Sequence, residues 1–147
     1  MGAKPSEKVA VVGTVDPDAL AATTGDATDW VSMVDYQQVM FVVLVGNVVS
    51  SGKVDFLVQA AKDSTGGSVA TLQSGTLNIT QLDSTDDDSQ VVVNVETEDL
   101  SEDFNFVRGV LALTNAGADA AVVALGLLPR FAPANDTDLA SVAEIKG

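Results

Sequence analysis

Apolar and polar residues alternate with a period of two along most of this chain, the spacing that sends successive side chains to opposite faces of a β-strand. The run Lys53 to Lys62 is the clearest, with Val54, Phe56, Val58 and Ala60 facing one way and Asp55, Gln59 and Lys62 the other. Gln90 to Thr97 repeats it, placing Val91, Val93 and Val95 inward and Gln90, Asn94 and Glu96 outward. Gln37 to Gly46 departs from this pattern. Val39, Phe41, Val43 and Val45 share one face, but Met40, Val42 and Leu44 share the other, so both faces are apolar. A strand of that kind is expected in the middle of a sandwich or beneath a subunit contact.

Shorter β-like runs fill the intervals: Val9 to Val15, Trp30 to Val34, Ser68 to Leu72, Thr76 to Thr80, Phe104 to Thr114 and Asp119 to Leu128. The breaks between runs carry turn chemistry: Asn47 to Gly52, Asp63-Ser-Thr-Gly-Gly67, the acidic stretches Asp83 to Ser89 and Glu98 to Asp103, and Asn115-Ala-Gly-Ala118. Eight or nine short strands at close intervals predict an all-β fold, an antiparallel β-sandwich or a jelly-roll-like arrangement. Residues 1–28, broken by prolines and glycines, are expected to form an N-terminal arm with one short strand; residues 29–128 form the sandwich domain. In residues 129–147, Pro129 and Pro133 enforce an extended passage. Leu139, Val142 and Ile145 then recur at the spacing of a short helix, with an extended arm as the alternative. No repeat suggests a solenoid or propeller.

Composition narrows the function more than the fold. The 147 residues suit one domain with a core of its own, 46% of them apolar and 5% aromatic, so β-branched side chains supply most of the packing. The net charge is −14, from 21 acidic and 7 basic residues. Such a surface repels phosphate backbones and anionic lipid, so neither nucleic acid nor membrane is an expected partner. The longest apolar run, Val39 to Val45, is far short of the roughly 20 residues of a membrane-spanning helix. Val9 to Val15 lacks the form of a signal peptide, which predicts no export by the usual route. The chain has no His and no Cys. These absences remove the commonest general base, the commonest metal ligands, and the histidine-dependent nucleophilic triads and dyads. No catalysis and no cofactor are expected.

Carboxylates are the abundant reactive groups, but most lie in turns, where solvated charge is their ordinary role. Asp83, Asp86 and Asp88 cluster closely enough to raise a Ca²⁺ site, although the loop lacks the glycine and terminal Glu of an EF-hand. Trp30, Tyr36, Phe104, Phe106 and Phe131 are candidates for core or interface packing, or for a sugar-stacking platform, with Trp30, Tyr36 and Phe131 the interface candidates. Arg108 falls within an apolar strand and is expected to pair with a carboxylate of this chain or of a neighbouring subunit. Arg130, held between Pro129 and Phe131, reads as a surface anchor in an otherwise acidic protein.

Three stretches, Tyr36-Gln-Gln-Val-Met-Phe-Val-Val-Leu-Val-Gly46, Lys53-Val-Asp-Phe-Leu-Val-Gln59 and Ala121-Val-Val-Ala-Leu-Gly-Leu-Leu-Pro-Arg-Phe131, resemble a family of small structural proteins encoded among the head genes of tailed bacteriophages. The resemblance covers roughly residues 30–133, and it is one of pattern. It implies a virion protein made in the host cytoplasm: a capsid decoration or cement protein, commonly trimeric, on the outer capsid surface with the major capsid protein as its partner. A tail, neck or fibre component and a carbohydrate-binding module are the alternatives.

Overall fold

A computed structural model describes residues 2, 4–22, 25–72, 79, 81–134 and 142–146. Among them are nine strands and no α-helix: β1 (Val9–Leu20), β2 (Gly25–Ala27), β3 (Val31–Ser32), β4 (Tyr36–Val48), β5 (Lys53–Ala61), β6 (Ala70–Thr71), β7 (Ser89–Glu96), β8 (Phe106–Thr114) and β9 (Ala118–Pro129). They form two antiparallel sheets. The first runs β1-β9-β4-β7; the second runs β2-β8-β5-β6, with β3 also pairing β8.

Because β2 and β3 both lie along β8, they act as one interrupted edge strand. Counted that way, the described residues form eight strands, and the first pairs with the last, the second with the seventh, the third with the sixth and the fourth with the fifth. This is the order of a jelly roll, a long hairpin folded over into two facing sheets. The expected sandwich is therefore present in its jelly-roll form.

The alternation read from the sequence decides which side chains fill the space between the sheets. Val39, Phe41, Val43 and Val45 of β4 meet Val54, Phe56, Val58 and Ala60 of β5 in one buried cluster, joined by Val93 and Val95 of β7. The Phe41 and Phe56 rings tilt against each other across the two sheets, 5.5 Å between centroids. Two glycines make room for rings. A Cβ at Gly109 would lie 2.6 Å from two carbons of the Phe56 ring, and one at Gly126 would lie 2.8 Å from the Tyr36 ring.

Several expectations are corrected. The strand expected to end at Val15 continues to Leu20, with register shifts at Val11/Gly13 and Val15/Asp18. Ala10, Val12 and Val15 are buried, so this part of the expected N-terminal arm belongs to the core. Its pairing with β9 supplies hydrogen bonds that local sequence could not reveal. Trp30 to Val34 contributes only Val31–Ser32, because a turn at residues 33–35 sends the chain into β4. The Ser68 to Leu72 strand shrinks to two residues. Before it, the Asp63 carboxylate closes a turn by accepting from Thr65 Oγ1 and from the backbone N–H of Thr65 and Gly67. Nearly all of the strand expected at Thr76 to Thr80, and the segment 135–141 with the start of the expected C-terminal helix, lie outside the described residues.

Candidate interaction surface

The two outer faces of the sandwich differ in character. On the second sheet, β5 and β8 turn outward Lys53, Asp55, Gln59 and Arg108 beside the half-buried Leu57, Phe106 and Val110. Arg108 Nε and Nη2 both donate to Gln59 Oε1, at 3.0 and 2.8 Å, and the guanidinium stacks 4.4 Å above the Trp30 ring. The expected carboxylate partner in this chain is thus replaced by an amide and an aromatic face. The pairing is set by register, since Gln59 lies directly opposite Arg108. Gly66, at φ +83°, lets the preceding turn pass against Trp30 where a Cβ would sit 3.3 Å from the indole nitrogen.

On the first sheet the centre of the outer face is apolar, with Thr14 on β1 and Gln90, Asn94 and Glu96 on β7 at its margins. Register places Val11, Leu125 and Met40 in one row across the strands, and Val123, Val42 and Val92 in the next. Val92 is 53% exposed and Leu44 38% exposed. Both faces of β4 are therefore apolar, as its sequence requires, but only the inner one is covered within the chain. Val92 is the residue that the pattern reading passed over, although an apolar side chain at an outward position of an alternating strand was its signal.

The two ends of this face are unlike each other. Where β9 ends, Arg130 and Phe131 project, Phe131 being 73% exposed. The Arg130 backbone N–H donates to the Asp35 carbonyl at 2.8 Å, which ties down the base of this projection, and its guanidinium makes no ion pair among the described residues. Lys4 and Lys8 precede β1 at the same end. At the opposite end a groove of about 450 Å³ has Pro17, Leu44 and Ala121 among its apolar lining and Asp18, Asp88 and Asp119 as its acids. Ser89, also in its wall, has a buried Oγ with no hydrogen-bond partner among the described residues.

Tyr36 does not join this surface. It is 2% exposed and packed over Gly126 in the core, although it shares the parity of Gln38 and Met40 on β4. The acidic loop does not gather into a cation site either. Asp83 accepts from Lys53 Nζ at 2.8 Å and from the backbone and hydroxyl of Thr85, while Asp86 accepts from the Asp83 N–H and Asp87 from the Val48 N–H. The Lys53 ammonium, seconded by Thr85, holds the Asp83 carboxyl well below the usual carboxylate range. Among the described residues no group of three potential ligands could hold a metal ion. Asp83 instead ties the loop to β5 and Asp87 ties it to β4, while Asp86 braces it from within and Asp88 reaches β4 through its backbone N–H, which donates to the Gly46 carbonyl.

No protein-family model and no curated protein matches the chain significantly. Solved structures that align with it include those of the infectious bursal disease virus Gt and Gx strains, both at 7% identity, with TM-scores of 0.45 and 0.44. These alignments cover 90% and 91% of this chain, and 38% and 39% of those chains. The infectious bursal disease virus VP2 subviral particle aligns at 9% identity and TM-score 0.30, over 90% of this chain and 46% of that one. The chain thus spans less than half the length of the structures it matches. At these values the likeness carries no weight for what the chain does.

Proposed function

We propose that this protein is a non-enzymatic structural component of a virion, a capsid decoration protein that binds the major capsid protein on the outer capsid surface. The observation that carries the reading is a jelly-roll sandwich with one sheet apolar on both faces, the outer one open, on a protein of charge −14. Jelly rolls serve both capsids and lectins, so the fold alone does not choose between them. The outer face favours the structural role: it offers aliphatic rows for burial against protein, whereas a sugar site needs exposed rings. Trp30 is already taken up by Arg108 and Tyr36 is buried, which leaves Phe131 as a lone exposed ring among these three and no platform. The resemblance of the three stretches to phage head proteins points the same way, and with it come the trimer and the placement over capsomer junctions.

The mechanism is burial repeated many times. An interface of standard size, about 1,600 Å², need bind only modestly at each junction if neighbouring copies are linked, because linkage raises the effective concentration of each contact. The acidic surface keeps the protein away from nucleic acid and soluble until it docks.

Electron cryomicroscopy of purified particles tests this directly. A repeated outer density of the size of this domain is the expected result. A few copies at a vertex or along a tail would replace it with a tail, neck or fibre role. Absence from particles, together with a specific glycan-array signal, would favour the carbohydrate-binding reading.

A further inference from the structure

The two ends of the open face are complementary to each other and cannot meet within one molecule. Arg130 and Phe131 stand beyond one end, while the groove of Leu44, Ala121, Asp18, Asp88 and Asp119 lies at the other. From Ala121 to Arg130, at about 3.3 Å per residue along an extended strand, the separation is roughly 30 Å. We infer that the Arg130–Phe131 projection of one copy seats in the acidic-rimmed groove of a second copy of this chain.

The chemistry on each side matches. A guanidinium without an ion pair meets carboxylates that have no cation in their groove, and each gains a partner it lacks in the monomer. The exposed Phe131 ring meets the apolar floor. A groove of about 450 Å³ falls within the size range, roughly 300–1,000 Å³, of sites that engulf a small molecule, room enough for one ring and one guanidinium. Exposed aromatic and Arg side chains are the residue types that dominate association when they enter such pockets.

Charge also selects this orientation over the others. Two copies of charge −14 repel wherever acid meets acid. The β9 end sets Arg130, Lys4 and Lys8 against Glu7, Asp35, Glu96, Glu98 and Asp99, whereas the groove end carries Asp16, Asp18, Asp88 and Asp119 with no Lys or Arg in the groove lining. Docking the first end on the second of a neighbour minimises the repulsion. The contact joins unlike surfaces, so it propagates from copy to copy and closes into a ring if the rotation permits. The rows Val11–Leu125–Met40 and Val123–Val42–Val92 then stay free for a different partner.

The inference does not depend on the virion reading, because the purified chain alone is the sample. Sedimentation equilibrium over a concentration series is expected to show a reversible oligomer. Phe131→Ala and Arg130→Glu, both at exposed positions, are expected to weaken it roughly 30-fold each, the loss that follows removal of a hot-spot side chain. Asp119→Arg on the groove rim is expected to weaken it likewise. Mixing Arg130→Glu with Asp119→Arg should restore association with the two variants alternating, since the swapped charges meet at one contact and the unchanged Arg130 and Asp119 meet at the next. Circular dichroism of each variant separates lost docking from lost folding. A wild-type chain that stays monomeric throughout, folded Phe131 and Arg130 variants that associate like the wild type, or a mixture that fails to pair would overturn the assignment.

Discussion

Replacing Gly109 with alanine tests how tightly the two sheets are locked. Gly109 sits on β8 with its Cα facing the core, and a Cβ there would lie 2.6 Å from Cε2 and Cζ of Phe56 and 3.1 Å from Cδ1 of Phe41. Neither ring can swing away, because both are essentially buried and lean on each other between the sheets. Over-packing of this kind costs about 1–3 kcal/mol. The backbone is not in the left-handed region, so alanine also restricts the unfolded chain and returns about 0.4–1 kcal/mol. The net expectation is a loss of about 1–2 kcal/mol, read as a lower urea midpoint at unchanged slope. In a chain of this size that lowers the melting temperature by roughly 2–8 °C. Phe56→Leu removes the two ring carbons that collide, so in that background Gly109→Ala should cost little or be stabilising, although Phe56→Leu alone is destabilising. A double-mutant cycle measures the coupling. A Gly109→Ala protein as stable as the wild type, or additive effects in the cycle, would refute the reasoning.

Thr28 links the interrupted edge strand to β8: its Oγ1 accepts from the Gly109 N–H at 3.0 Å and donates to the Asp29 carbonyl, in a buried position. Thr28→Val keeps the shape but orphans that N–H, and should lower stability by about 1–3 kcal/mol in urea unfolding, well beyond the effect of the same change at an exposed threonine. The Asp83 carboxyl, held below its ordinary value by Lys53 and Thr85, makes stability depend on acid. Its ionised form contributes fully above the unfolded carboxylate value of about 3.9, and that contribution is lost as the pH falls through the lower folded value. Asp83→Asn is therefore expected to flatten the fall in stability below about pH 4; parallel curves for the two proteins would show that the Lys53 contact does not matter.

Much of the core was legible because alternation is a local property. Once Phe56 and Val58 are seen to point one way and Asp55 and Gln59 the other, hydrophobic burial leaves no choice of face, and the same holds for Val93 and Val95. The open outer face was legible in part. Met40, Val42 and Leu44 announced a second apolar face on β4, yet whether sheet or solvent covered it depended on how the strands stacked.

Pairing between distant segments was not local, and there the tertiary structure decided. β1 is rich in breaks, and only its alignment with β9 makes Ala10, Val12 and Val15 core residues. Tyr36 looked like an interface aromatic, and alternation along β4 would have left it outward, yet the fold buries its ring over Gly126. Arg108 needed an anionic neighbour by composition, but Gln59 stands opposite it and Trp30 lies under it. The sequence by itself determined which face of each strand is apolar, since that follows from a period of two. The fold determined which strands became neighbours, and so which faces stayed open and which charges stayed unpaired, because those depend on contacts between residues far apart in the chain.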